Sequence, residues 1–204
     1  AHLPIGVAVT IEFIGPLSLA AALSRRWLDA VAVAAAAAGV VLISEALSTP
    51  FADLEKTGIA LALLAGAFWA AYIVLAGRTG GEFPKLEGLA LAMVVATVVT
   101  LPLGITSAPT WSPDILLKAF GIAVLSSVLP YSLELLALRR LSAKVFGILL
   151  SLEPAFAALA GLLVLGQVLS PTQLVGMALV VAASALVLGL GARQKPDPAE
   201  AAST

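Results

Sequence analysis

Seven long apolar stretches, separated by short polar connections, are what most constrains the structure of this chain. They cover residues 3–24, 28–44, 57–77, 86–106, 115–137, 143–166 and 170–190. A bilayer core about 30 Å thick is crossed by about 20 apolar residues in an α-helix, which satisfies its own backbone hydrogen bonds. The pattern therefore predicts an all-α polytopic membrane protein with seven transmembrane helices, of which the second is short and rich in Ala.

Composition excludes several other classes of protein. Charged residues make up 11% of the 204 residues, whereas an ordinary soluble domain carries about 25%. The net charge of −1 argues against a nucleic-acid partner, which would need a basic surface. Aromatic residues, at 6%, are too few for the girdles of a membrane β-barrel. The lipid bilayer is therefore the first partner that the sequence implies.

The predicted spans lack the residues that membrane enzymes and photoreceptors use. Cys is absent and His2 is the only histidine, which excludes thiol chemistry, a Ser-His-Asp triad and a His-rich metal site. The last span has no Lys for retinal, and no GxxxxGK[ST] nucleotide-binding motif occurs. An intramembrane aspartyl protease is also excluded, because every Asp is assigned to a connection or to the tail: Asp29, Asp53, Asp114 and Asp197. We expect no enzyme activity, no metal and no cofactor.

The distribution of Lys and Arg predicts the orientation. Only Lys56 and Lys118 lie at one set of alternate helix ends. The other set holds the remaining nine of the eleven basic residues: Arg25, Arg26, Arg78, Lys85, Arg139, Arg140, Lys144, Arg193 and Lys195. Basic connections stay in the cytoplasm, so the chain is predicted to begin outside and end inside. The first stretch has no basic leader and contains Glu12 and Pro16, which indicates a span rather than a signal peptide.

An internal repeat relates residues 5–44 to residues 146–185 at an offset of 141. Identities are few, but the hydropathy profiles coincide and Glu12 falls on Glu153. The first copy enters the membrane from outside and the second from inside, which is the inverted-topology repeat of many transporters. A chance match of two amphipathic hairpins is the alternative. The symmetry predicts three further helices upstream of Ala1.

This symmetry divides the chain into four parts. Residues 1–44 would be the last two helices of a first repeat, and residues 45–56 a periplasmic connection. Residues 57–190 would form a second repeat of five helices. Residues 191–204 have the polar, Pro-containing composition of a disordered tail, which the orientation places in the cytoplasm.

Three glutamates lie within the apolar spans. Glu12 and Glu153 are near the middle of the first and sixth spans, and Glu134 is near the cytoplasmic end of the fifth. Because a charge in hydrocarbon is costly and usually functional, all three are candidate substrate-binding or proton-coupling residues. For Glu134, an interfacial carboxylate near Arg139 and Arg140 is an equal alternative.

A proline accompanies each glutamate, and these are Pro16, Pro130 and Pro154. Proline has no N–H and so frees the carbonyl four residues earlier. The carbonyls concerned are those of Glu12, Ser126 and Leu150. A freed carbonyl in lipid must face protein or a wet cavity, so we expect these segments to line one polar space. The alternative is that the prolines only kink their helices and the glutamates bond neighbouring Ser and Thr.

Three aromatic residues, Trp69, Tyr72 and Tyr131, also lie inside predicted spans. An interfacial aromatic belt would place them at the ends of the spans instead. They are candidates for the wall of the same polar space, and ordinary core packing is the alternative.

Three segments carry a resemblance to a known family. They are IGVAVTIEFIGPL followed by SRR, then LPYSLELLALRRL, and then FGILLSLEPAFAALAGLLVLGQ. Together they resemble the threonine/homoserine exporter family, which is of the EamA type within the drug/metabolite transporter superfamily. The resemblance covers nearly the whole chain. The common pattern of the third segment ends in Glu where this sequence has Gln167, so a role for that charge is not carried over.

The resemblance implies ten helices in two inverted EamA repeats, a bacterial inner-membrane location, and export of small amino acids such as threonine and homoserine. Proton antiport is the simplest energy source, since the nucleotide-binding motif is absent. A small amino acid and protons are therefore the expected partners, and a homodimer is possible. The alternatives are an EamA-type exporter of another small metabolite, and a non-transporting membrane scaffold made from a truncated repeat.

Overall fold

The computed structural model describes residues 3–48, 50, 54–79, 83–106 and 111–192, and these residues form helices and no strand. The π-helical segment Val124–Val128 continues α5 into α6, and a 3₁₀ turn covers Ala46–Ser48. The α-helices are α1 (Ile5–Leu23), α2 (Trp27–Ile43), α3 (Lys56–Thr79), α4 (Glu87–Ile105), α5 (Pro113–Ala123), α6 (Leu129–Leu138), α7 (Ala143–Leu149), α8 (Leu152–Leu165) and α9 (Pro171–Ala192).

The seven predicted spans all correspond to helices. Among the described residues, six helical segments are long and apolar enough to cross a bilayer, with α5–α6 and α7–α8 each counted as one. The seventh, α2, is a shorter apolar helix of 17 residues. The all-α class of a polytopic membrane protein is therefore confirmed, and the ten-helix repeat stays a prediction.

Local sequence signals set several helix ends. Ser170 begins α9 with a capping box: its Oγ accepts from the Gln173 N–H at 3.2 Å, and its own N–H donates to Gln173 Oε1 at 2.9 Å. Ser112 caps α5 by accepting from the Ile115 N–H at 3.3 Å. Gly166 ends α8 in the left-handed conformation, with φ of 66°, which glycine adopts at little cost.

Packing divides the chain into two compact units. The first holds residues 1–73 and 143–204, and the second holds residues 74–142. In the first unit, α1 and α2 pack with α7, α8 and α9, so packing does not follow the predicted repeat boundaries in sequence. The division into repeats stays a prediction. Of the predicted tail, α9 extends to Ala192, and residues 193–204 lie outside the described part of the chain.

The most extensive helix contact in the first unit joins α2 and α9 through small residues. A Cβ added at Gly39 would lie 2.8 Å from the Gly176 carbonyl oxygen, and one added at Gly176 would lie 2.8 Å from the Gly39 carbonyl oxygen. Such close approach of backbones is how helices associate without a hydrophobic driving force. Gly176 also meets Ile43, while Gly39 meets Val180, so the two helices run antiparallel.

We expect Gly39→Ala to destabilise the protein. The new Cβ would lie 2.5 Å from Val180 Cγ1, and overpacking of this kind costs about 1–3 kcal/mol. The measurement is thermal unfolding of the purified protein in detergent. Gly77→Ala is the matched control, because nothing lies within 4 Å of a Cβ added there. Equal unfolding temperatures for the two variants would contradict the close α2–α9 packing.

Candidate functional site

The middle of α1 holds Glu12, which is half-buried, and Pro16, which is buried one turn later. Pro16 has no N–H to give to the Glu12 carbonyl. That carbonyl faces α3, because a Cβ added at Gly66 would lie 2.6 Å from the Glu12 oxygen. The freed carbonyl thus lies against the backbone of a neighbouring helix. A polar backbone group within the membrane has to face protein or water, because lipid cannot satisfy it.

The crossing of α1 and α3 is tightened by a second glycine and an aromatic pair. A Cβ added at Gly15 would overlap the Gly66 carbonyl oxygen. The buried Phe13 ring meets Trp69 edge to face, with ring centroids 5.0 Å apart and planes at 71°, a geometry that aromatic rings favour. Trp69 and Tyr72 are both half-buried. Packing against Phe13 is therefore one role of Trp69, and a role for either residue in a pocket wall stays a prediction.

The sixth predicted span is broken beside Glu153. Helix α7 ends at Leu149 and α8 begins at Leu152. The fully buried Ser151 donates its hydroxyl to the Ile148 carbonyl at 2.6 Å. Glu153 lies in the first turn of α8 with its side chain exposed, where the helix dipole favours an acid.

The prediction that Pro154 frees the Leu150 carbonyl is wrong. That carbonyl accepts from the Glu153 N–H at 2.9 Å. The physical reason is that Pro154 lies in the first turn of α8, where backbone N–H groups have no partner within the helix in any case. The proline therefore fits the start of a new helix rather than removing a bond from a continuous one.

Helix α1 also packs against α7. A Cβ added at Gly147 would lie 2.8 Å from the Pro16 carbonyl oxygen and 3.4 Å from the Ala20 Cβ. This crossing lies one turn after Glu12 and just before the break that leads to Glu153. Glu12 and Glu153, which the predicted repeat makes equivalent, therefore belong to one packed unit.

The second unit holds Pro130, Tyr131 and Glu134. Pro130 lies in the first turn of α6, directly after the π-helical segment, in which the Leu129 N–H donates to the Val124 carbonyl. Widened turns of this kind are frequent at functional sites. Tyr131 is exposed and Glu134 is half-buried. That these residues share one polar space with those of the first unit stays a prediction.

Arg139, a predicted neighbour of Glu134, has another role in the second unit. Its Nη2 donates to the Phe83 carbonyl at 2.9 Å and also to the Lys85 carbonyl. The guanidinium thereby fastens the connection before α4 to the end of α6. Both alternatives for Glu134 stay predictions.

The prediction that Asp29 and Asp114 lie in connections is wrong, while Asp53 and Asp197 lie outside the described residues. Asp114 lies in the first turn of α5. Asp29 lies in the first turn of α2, with its side chain 2% exposed, and its Oδ2 is 2.8 Å from Lys144 Nζ. An acid in the first turn interacts favourably with the helix dipole, so the helix begins before it. An acid just after a basic connection was the one available signal. The partner, 115 residues away, could not be identified from local pattern.

Two apolar grooves flank α1 in the first unit. One lies between α1 and α2, with a volume of about 380 Å³, and the other between α1 and α3, with a volume of about 490 Å³. Ile14 and Ser18 line both, and none of the predicted site residues lines either. Within the described part of the chain, no group of three or more His, Cys, Asp or Glu could hold a metal ion.

Known proteins match most of the chain. The EamA-like transporter family matches residues 56–189. The chain is 40% identical over 183 residues to the threonine/homoserine exporter RhtA of Escherichia coli K12, and likewise to that of Salmonella typhimurium LT2. These matches cover 89% of this chain and 61% of each relative, so the chain spans about three-fifths of their length. No solved structure matches it significantly.

Proposed function

Since the chain belongs to the EamA-like transporter family, we propose that it acts in the export of small amino acids, such as threonine or homoserine, across a bacterial inner membrane. The observation that carries the proposal is the 40% identity, over 89% of the chain, to exporters named for those two substrates. The apolar helices provide the membrane-spanning framework that such an activity needs.

The proposed energy source is proton antiport through the two mid-span glutamates. A carboxylate can bind either a proton or the ammonium group of an amino acid, so Glu12 or Glu153 can exchange one for the other. The turn at residues 150–151 supports this location, because it interrupts the regular α-helix beside Glu153, and irregular backbone within a membrane is tolerated where it is buried in protein or lines a cavity.

The α2–α9 contact supports the inverted repeat. At the offset of 141, Gly39 corresponds to Val180, and these two residues pack directly against each other. When a two-fold axis relates two packed antiparallel helices, the residues nearest the axis contact their own equivalents on the other helix. An inverted repeat whose axis passes between α2 and α9 accounts for this contact, whereas a chance match of two hairpins does not predict it.

The proposed orientation predicts the result of reporter fusions. Fusions after Arg140 and after Arg193 should report a cytoplasmic location, and fusions near Thr49 and Pro109 a periplasmic one, because nine of the eleven basic residues lie at the set of helix ends that includes Arg140 and Arg193. Paired fusions to alkaline phosphatase and to a cytoplasm-active fluorescent protein provide the measurement. The opposite result at two of these four sites would remove both the topology and the inverted repeat.

The proposed transport is tested with inverted membrane vesicles. Vesicles that contain the full-length gene product and have an acidic interior should accumulate radiolabelled threonine or homoserine. Vesicles from cells without the protein should not. Absence of uptake for these and for other small metabolites would favour the membrane scaffold instead.

A further inference from the structure

The ion pair between Asp29 and Lys144 joins two parts of the first unit that are distant in sequence. It connects the first turn of α2 to the first turn of α7. The Lys144 side chain is 22% exposed, so both partners are largely removed from solvent. The Asp29 carboxylate also interacts with the backbone at Arg25 and Arg26. The pair therefore ties the α1–α2 hairpin to the beginning of α7, at the end of the helices that is predicted to be cytoplasmic.

Helix stability does not explain why a lysine occupies position 144. A cation in the first turn opposes the helix dipole. Burying two charges also costs desolvation energy that their attraction repays only in part, so a buried pair is a weak source of stability. Breaking such a pair by removing one partner is nevertheless strongly unfavourable. These properties suit a contact that selects one arrangement of two elements over another.

The pair is present at only one end of the inverted repeat. At the offset of 141, Asp29 corresponds to Ser170, and Lys144 corresponds to Leu3. Ser170 hydrogen-bonds to Glu45 Oε1 at 3.1 Å and to the Gln173 N–H at 3.2 Å, and Leu3 carries no charge. If both ends of the inverted repeat made the same contacts, the cytoplasmic and periplasmic ends would be equally stable. The ion pair is found at one end only, so the two ends differ.

We propose that the Asp29–Lys144 pair is a latch that holds the cytoplasmic end of the transporter closed and favours the outward-facing state at rest. This inference rests on the proposed function, since only a transporter of alternating access has two such states. Opening toward the cytoplasm separates α2 from α7 and breaks the pair. Loss of the latch therefore shifts the population toward the cytoplasm-open state.

Cysteine labelling measures that shift without any substrate. The chain contains no Cys, so a single cysteine can be placed at Ala20, which is fully buried and packs against Gly147 of α7. The full-length gene product, with any cysteine outside residues 1–204 replaced, is exposed to a membrane-impermeant maleimide from the cytoplasmic face in inverted vesicles. Lys144→Met should raise the labelling rate roughly tenfold, as a tenfold population shift would. Lys144→Arg keeps the charge and should label at the parent rate.

A double variant covers the case in which a single unpaired charge prevents folding. Asp29→Asn with Lys144→Gln leaves no unpaired buried charge and should also label roughly tenfold faster. The matched control is Lys118→Met, which should leave the labelling rate unchanged. It removes an ion pair within one helix, in which Lys118 Nζ lies 2.7 Å from Asp114 Oδ2 and the two side chains are 71% and 69% exposed. Labelling of the double variant at the parent rate would overturn the latch. That result would not affect the proposed transport function, which is contradicted only if substrate uptake is absent.

Discussion

Replacing Glu12 or Glu153 with Gln is expected to reduce acid-driven threonine uptake into inverted vesicles to the level of vesicles that lack the protein. Gln keeps the shape and most of the hydrogen-bonding capacity of Glu, but it cannot exchange a proton. Glu12 lies in the middle of α1 and Glu153 directly after the break between α7 and α8. The proposed mechanism has a substrate ammonium and a proton compete for the carboxylate of one of these residues.

The control for this substitution is Glu87→Gln, which changes an exposed glutamate in the first turn of α4. It should transport at the parent rate. Immunoblots of washed membranes should show that all variants insert equally. The coupling scheme is wrong if both single variants and the double variant export at the wild-type rate with unchanged pH dependence. The glutamates would then be structural.

Gly66→Val is expected to abolish transport by displacing α3 from α1. A Cβ at this position would lie 2.6 Å from the Glu12 carbonyl oxygen, and a backbone atom cannot rotate away as a flexible side chain can. Overpacking costs about 1–3 kcal/mol in ordinary cores, and the valine methyl groups add to the overlap. The Glu12 segment would have to move, so the substitution should affect both stability and substrate uptake.

The measurement is the fraction of protein that remains monodisperse after extraction in detergent and heating, together with threonine uptake. Gly77→Val is the matched control on the same helix, since nothing lies within 4 Å of a Cβ there. If Gly66→Val and Gly77→Val are equally stable and transport equally well, the α1–α3 crossing does not hold Glu12 in place.

The helices were predictable because lipid leaves the backbone few options. Each predicted span corresponds to a helix, with ends that differ by a few residues, as with α1 at Ile5–Leu23 against the predicted 3–24. Helix breaks were harder to predict. Pro16 lies within a continuous helix, whereas Pro154 lies in the first turn of a new one. Both prolines lie in apolar runs that contain a glutamate, so the local sequence does not show which of them begins a helix.

Contacts between distant segments were beyond the reach of sequence pattern. Gly66 lies against Glu12, whereas a Cβ added at Gly121 would have nothing within 4 Å, yet both glycines occur in similar apolar runs. The burial of Asp29 depends on Lys144, which local periodicity cannot place beside it. The predicted repeat offset of 141 was the one long-range signal, and it pairs Gly39 with Val180, which pack against each other in the structure.

Proton movement in liposomes decides whether threonine is exchanged for protons through these glutamates. The purified full-length gene product is reconstituted with a pH-sensitive dye inside, and threonine is added outside. Antiport predicts that the interior becomes alkaline as threonine enters and protons leave, and that Glu12→Gln liposomes show no such change. Threonine uptake that leaves the internal pH unchanged in the wild-type protein would contradict the proposed mechanism.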